Sequence, residues 1–275
     1  MRSLVCFALA AFLSGSAPAQ SPDTSSTPAA SGAAQPTGDA AAQNAQKARA
    51  MLDAMVRALG GQKWLEVKNR EQHGRVAGFY HGKPNLGTLE VTEFHMWPDH
   101  DRMNVDKHGD WVELFEGDKG WEITYRGKKP MEQPQVDDFI RRRNHSIEIA
   151  IKVWLNDPRT ILVYEGQHLA ERHLADQVTL ISPENEAVTI QTDADSHLPL
   201  RRSFRFRDPD YHDFITDSEE YDDYHDMNGL PTPLRISRFR NDEMVRQFYI
   251  DRVAYNQELA PGFWDVDTLA RHIKR

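Results

Sequence analysis

YDDYHDMNGLPTPLRISRF, residues 221–239, reads as the end of one β-strand, a turn at Asn228-Gly229-Leu230-Pro231, and the start of the next strand. Nine acidic side chains crowd up to that turn. Asp208, Asp210, Asp213, Asp217, Glu219, Glu220, Asp222, Asp223 and Asp226 fall within nineteen residues that contain no Lys or Arg. Such a run is a metal site, a catalytic site or a solvated pair of strands. For an EF-hand calcium loop, Asp208, Asp210, His212 and Glu219 would take positions 1, 3, 5 and 12, but position 6, where the sharp turn needs Gly, is Asp213. Strand alternation puts Phe214, Thr216, Ser218, Glu220 and Tyr224 on one face and Asp217, Glu219 and Asp223 on the other. The expectation is a solvated strand whose charges resist aggregation, with no metal.

Outward from the turn, the punctuation is that of hairpins. Strand-like runs extend from Val67 to Gly127 and from Thr160 to Asn256, about ten or eleven in all. In GTLEVTEFHMW, residues 87–97, the apolar parity slips after Val91, which predicts a bulge or a strongly bent strand. Two helices are expected. Residues 42–59 carry Met51, Leu52, Met55 and Leu59 at helical spacing and stop at Gly60-Gly61. Residues 133–160 place Val136, Phe139, Ile140, Ile147, Ile151, Trp154 and Leu155 on one stripe, opposite Arg141, Arg142 and Arg143. The fold class read from these elements is mainly β (α+β): a hairpin-linked antiparallel sheet curled toward a barrel, with helices against it.

The first residues are of another kind. MRSLVCFALAAFLSGSAPAQ has Arg2, an apolar run from Leu4 to Leu13, and small residues ending Ala17-Pro18-Ala19. That is the layout of a secretory signal, and the apolar run is too short to span a bilayer as a helix. Residues 20–41, rich in Ser, Thr, Pro, Ala and Gly, cannot bury enough surface to order themselves and read as a flexible tether, leaving 42–275 as the folded domain. Cys6 is the single cysteine, and it lies inside the signal. A mature chain without it has no thiol nucleophile, disulfide or cysteine zinc site. The formal charge of -9 comes from 33 basic and 42 acidic residues, so the acidic run accounts for the whole excess. A mildly acidic chain of this balance is a poor nucleic-acid binder.

Catalytic patterns do not emerge. The pairs His95/His100 and His168/His173 are five apart, wrong for one helix face and for HExxH. G-x-S-x-G, S-x-x-K, the P-loop and G-x-G-x-x-G are all missing, and carboxylate pairs carry no specificity in a chain this acidic. What the strands do offer is apolar parity with isolated charges. Leu198, Leu200, Phe204 and Phe206 share a face with Arg202; Leu89, Val91 and Trp97 share one with Glu93 and His95. Two readings fit: an apolar ligand cavity, or an ordinary packed barrel core with charges at its rim.

YDDYHDMNGLPTPLRISRFRNDEMVRQFYIDRVAYNQELAPGFWDVD, residues 221–267, resembles the LolA/LolB-like superfamily of periplasmic lipoprotein carriers and outer-membrane lipoprotein-sorting proteins. The matching features are the Tyr-rich strand ending in Asn228-Gly229-Leu230-Pro231, the basic strand after it, and the closing stretch with Tyr255-Asn256 and Phe263. ALGGQKWLEVKNREQHGRV and FEGDKGWEIT upstream resemble that group's helix-to-strand turn and a strand ending in Gly120-Trp121. The resemblance implies an open, strongly curved antiparallel half-barrel with helices packed as a lid, an apolar cavity for acyl chains, and no cofactor. It leads to an exported, periplasmic, non-enzymatic carrier or binding protein for lipid or the acyl chains of lipoproteins, with envelope membrane proteins as further partners. The residues expected to line or close the cavity are Leu89, Val91, Trp97, Trp121, Ile147, Ile151, Trp154, Phe204, Phe206 and Ile236. The alternative is an envelope protein-interaction or stress-sensing module on the same fold, with no lipid transfer.

Overall fold

A computed structural model describes residues 38–85, 87–105, 110–170, 173–208 and 212–273. Helix α1 (Gly38–Ala58) leads, followed by the single turn α2 (Gln62–Leu65). A first run of strands comprises β1 (Asn69–Tyr80), β2 (Lys83–Pro84), β3 (Leu89–Met96), β4 (His100–Val105), β5 (Trp111–Glu116), β6 (Lys119–Thr124) and β7 (Gly127–Pro130). Helices α3 (Gln133–Asn144) and α4 (Ile147–Lys152) interrupt it, with a 3-10 turn at Trp154–Asn156. The second run is β8 (Ile161–Ala170), β9 (His173–Ile181), β10 (Ala187–Asp193), β11 (Pro199–Arg207), β12 (Phe214–Asp226), β13 (Pro231–Arg240) and β14 (Glu243–Tyr255), and α5 (Val266–Ile273) closes it.

All the strands belong to one antiparallel sheet, ordered β7-β6-β5-β4-β3-β1-β14-β13-β12-β11-β10-β9-β8, with β2 paired to β1. The two end strands, β7 and β8, do not meet, so the curved half-barrel is open. Two junctions join strands that are not consecutive in the chain: β3 pairs with β1 across the short β2, and β1 pairs with β14 and joins the two halves. The hairpin of the opening stretch is a two-residue turn. Asn228 and Gly229 both have positive φ (59° and 77°), Met227 N–H donates to the Leu230 carbonyl, and Asp226 accepts from Gly229 N–H. Both central residues at positive φ match the right-handed twist of the flanking strands.

Several expectations need correction. Among the described residues fourteen strands are present rather than ten or eleven, the short Lys83–Pro84 and Gly127–Pro130 strands among those not expected. The expected helix over 133–160 is broken: His145 ends α3, and Ser146 caps α4 by accepting from Ile149 N–H at 3.2 Å. The bulge expected in β3 lies next door. β3 pairs with β1 in unbroken register, while the shift falls between His73 and Gly74 of β1, where a Cβ on Gly74 would collide with the Tyr249 carbonyl. Helix α1 also begins at Gly38, inside the stretch expected as tether.

Three apolar clusters pack on the sheet, and two of them hold helices to it. On the inner face, Leu52 and Met55 of α1 and Ile147 and Ile151 of α4 pack with Trp154 on Val178, Leu180, Val188, Ile190 and Phe204. A second inner cluster gathers Val91, Val105, Phe248 and Ile250. On the outer face α5 lays Leu269 over Val112, Leu114 and Ile123.

Candidate binding cleft

Between strands of both halves, the inner face is charged rather than apolar. Arg202 on β11 stands directly opposite Glu219 on β12, Glu219 opposite Arg238 on β13, and Arg238 opposite Arg246 on β14. On the other half, Gln72 of β1, Glu93 of β3, Met103 of β4 and Glu113 of β5 form a second rung, and Arg70, His95, Asp101 and Phe115 a third. These side chains wall a cleft of about 430 Å³, a size that suits a small ligand. It borders both inner clusters: the Arg202 guanidinium lies 5.2 Å from the Phe204 ring centroid, and that of Arg246 5.4 Å from Phe248.

Helices α3 and α4 span the cleft, tied to both sides by ion pairs. From α3, Asp138 accepts from Arg240 of β13 at 2.6 Å and pairs with Arg142 of its own helix. Arg143 donates to the Asp99 and Gly117 carbonyls at 2.8 and 2.6 Å and faces Asp101 at 3.4 Å. From α4, Glu148 meets Arg70 at 3.1 Å. His95, hydrogen-bonded to Asp101 at 2.7 Å, turns its other ring nitrogen toward Glu148 at 3.7 Å. Phe139 of α3 stacks on Phe115 of β5 with centroids 3.7 Å apart.

Burial makes these pairs matter more than surface ones. Arg202 is 1% exposed and Asp217 fully buried. Arg202 donates to Glu219 at 2.8 Å, and Arg238 donates to Asp217 at 2.7 Å. Burial opposes ionisation of Glu219, yet Arg202 and the Tyr221 hydroxyl outweigh it and hold the carboxyl at about 2. Burial likewise disfavours the charge on Arg202, but Glu219, Tyr221 and Asp217 raise its pKa further above the ordinary value. Arg142, buried and beside Arg238, is lowered to about 10. Glu148 stays below the usual range because Arg70 and His95 overcome its burial.

None of the ten residues expected to line the cavity lines this cleft. Ile147, Ile151, Trp154 and Phe204 are buried in the first inner cluster, with Phe206 at its margin. Val91 is buried in the second, with Ile236 packed against it. Trp121 packs on the outer face beneath α5, and Leu89, 37% exposed, begins β3. Trp97 lies past the end of β3, with the Lys152 ammonium 4.8 Å above its ring. The physical reason is that α1 and α4 already fill the apolar parity of β9–β11. The acidic strand also needs correction: its inward members Asp217 and Glu219 are arginine partners, not a solvated surface. Asp222 and Asp223 are exposed, as expected. Among the described residues, no three His, Cys, Asp or Glu side chains converge to hold a metal ion.

No family model matches the chain, and no curated protein matches it in sequence. Its shape has clear counterparts. A DUF1329 family protein from Desulfovibrio piger superposes with a TM-score of 0.58 at 10% identity, covering 81% of this chain and 98% of that one. A LolA superfamily protein from Nitrosomonas europaea gives 0.50 at 10% identity, covering 80% and 98%. The fold is LolA-like. An outer membrane lipoprotein-sorting protein domain from Vibrio parahaemolyticus also matches the LolA-like half-barrel, with a TM-score of 0.53 at 9% identity over 86% of this chain and all of that one.

Proposed function

We propose that the protein is an exported, non-enzymatic carrier or binding protein for a lipid or acylated cargo. The observation that carries this reading is a charged cleft, crossed by ion-paired helices, that borders two apolar clusters. An amphipathic molecule is complementary to such a wall: its polar end meets the charges, and its chain meets apolar side chains. Lifting α4 would present Ile151, Trp154 and Phe204 to that chain. The lipoprotein-sorting description of the Vibrio relative points to the same class of cargo at the level of the fold. In this reading residues 1–19 are an export signal cleaved near Ala19, the stretch before helix α1 is a tether, the rest of the chain from Gly38 is the carrier domain, and the periplasm is its compartment.

The test is uptake of a fluorescent acyl probe by the mature protein. Saturable enhancement at one probe per chain, weakened by Phe139→Asp at the lid, supports the carrier. A folded protein that takes up no probe at any concentration refutes it. A second reading, an envelope protein-interaction module, is favoured by the packing of both inner clusters, which are filled by the chain's own side chains.

A further inference from the structure

The two ends of the cleft differ in charge. Toward β11–β14, the guanidiniums of Arg238 and Arg246 stand on neighbouring strands, Glu219 of β12 separates them from Arg202, and Arg142 descends on them from α3. Toward β3–β5, Glu93, Met103 and Glu113 occupy one rung beside the stacked rings of Phe115 and Phe139. Glu113 differs from the other carboxylates that line the cleft. Glu93 pairs with Arg246, Asp101 with His95, Glu148 with Arg70 and Glu219 with Arg202. Glu113 makes no hydrogen bond and no ion pair among the described residues. Burial raises its pKa, Arg246 and, more weakly, Arg142 offset part of that, and Glu122 and Glu93 add to it. A half-buried carboxylate without a partner is costly unless something else completes it.

We propose that the missing partner is an ammonium group on the ligand, and that the ligand carries a phosphate–ammonium zwitterion. The amine pairs with Glu113 against the wall of Phe115 and Phe139, and the phosphate lies toward Arg142, Arg238 and Arg246. Arg246 stands next to both ends, since it pairs with Glu93 while its field reaches Glu113. A purely anionic headgroup would leave Glu113 without a counter-charge at one end, and a purely cationic one would meet the arginines at the other. Charge balance across the cleft therefore selects a molecule carrying both signs. This assigns the headgroup within the carrier reading and rests on that reading only for the acyl chain.

The experiment titrates lysophosphatidylethanolamine, lysophosphatidylglycerol and chain-free glycerophosphoethanolamine into the wild type, Glu113→Gln and Glu113→Asp. The wild type should bind the ethanolamine lysolipid at least about tenfold tighter than the glycerol one, the effect of one charge-assisted contact. Glu113→Gln should erase that preference without lowering the melting temperature, because Glu113 has no protein partner to lose. Glu113→Asp should retain part of it. Equal binding of both lysolipids by the wild type, or a preference unaltered in Glu113→Gln, overturns the headgroup assignment and leaves the carrier standing. Binding of glycerophosphoethanolamine alone, with no lysolipid uptake, upholds the zwitterion site and overturns the acyl carrier. Binding of none of the three overturns both.

Discussion

At the residue scale, Arg202 organises one wall of the cleft. It is almost wholly buried, opposes Glu219 across the ladder, and faces Asp217 at 3.6 Å. Removing one member of a buried ion pair leaves an uncompensated charge, typically costing 3–5 kcal/mol, so Arg202→Met should lower stability by about 3 kcal/mol in urea unfolding. A loss under about 1 kcal/mol would show that water reaches this wall. The same pairing sets a pH dependence. The Glu219 carboxyl titrates at about 2 when folded, against an ordinary 4.5. The unfolded chain therefore takes up the proton first as pH falls. The stabilisation is present above about 4.5 and disappears as pH drops toward 2, and Glu219→Gln should flatten that part of the urea midpoint profile. Glu113, with its raised pKa, acts in the opposite sense: its protonated form is favoured in the fold, and that contribution fades as pH rises above 4.5.

At the element scale, the lid depends on a break that helical periodicity does not reveal. Val136, Phe139, Ile147, Ile151 and Trp154 do fall on a helical stripe, but the chain turns at His145-Ser146 so that α3 crosses the charged cleft and α4 covers an apolar cluster. The signal was Ser146, a good N-cap three residues before the N–H it satisfies. Ser146→Ala should cost about 1 kcal/mol in urea unfolding, and no measurable change would remove the cap from the account. Strand β12 teaches a related lesson. Alternation correctly grouped Asp217 with Glu219, but period two says which residues share a face and not which face is inward. Phe214 leads the other parity at 61% exposed, whereas the acids turn in because Arg202 and Arg238 meet them there. Arg202 was visible in the sequence as a lone charge among Leu198, Leu200, Phe204 and Phe206, and a buried guanidinium must find an acid. The hairpins and the Asn228-Gly229 turn were legible because they rest on local chemistry, and the open half-barrel followed from the family resemblance. The cleft was not, because its members come from strands far apart in the chain.

At the scale of the whole molecule, β1 paired with β14 brings the two strand runs together, and α3 ties them again across the opening. Asp138 anchors that tie on β13, where Arg142, Arg238 and Arg240 overcome its burial and keep its pKa low. Asp138→Asn should cost roughly 1 kcal/mol and speed hydrogen exchange across Gln133–Asn144 while the Asn69–Tyr80 strand stays protected. It should also quicken uptake of an acyl probe, since the lid would open more often. Unchanged exchange in α3 would show that packing of Val136 and Phe139, rather than charge, holds the lid.

The most direct test of the account is native mass spectrometry of the mature protein purified from an exporting host, followed by organic extraction. The account predicts a one-to-one adduct that releases a lipid or acyl-bearing molecule with a phosphate–ammonium headgroup. A clean unliganded mass, together with no uptake of added lysolipid, would contradict it and leave the half-barrel as a protein-interaction scaffold.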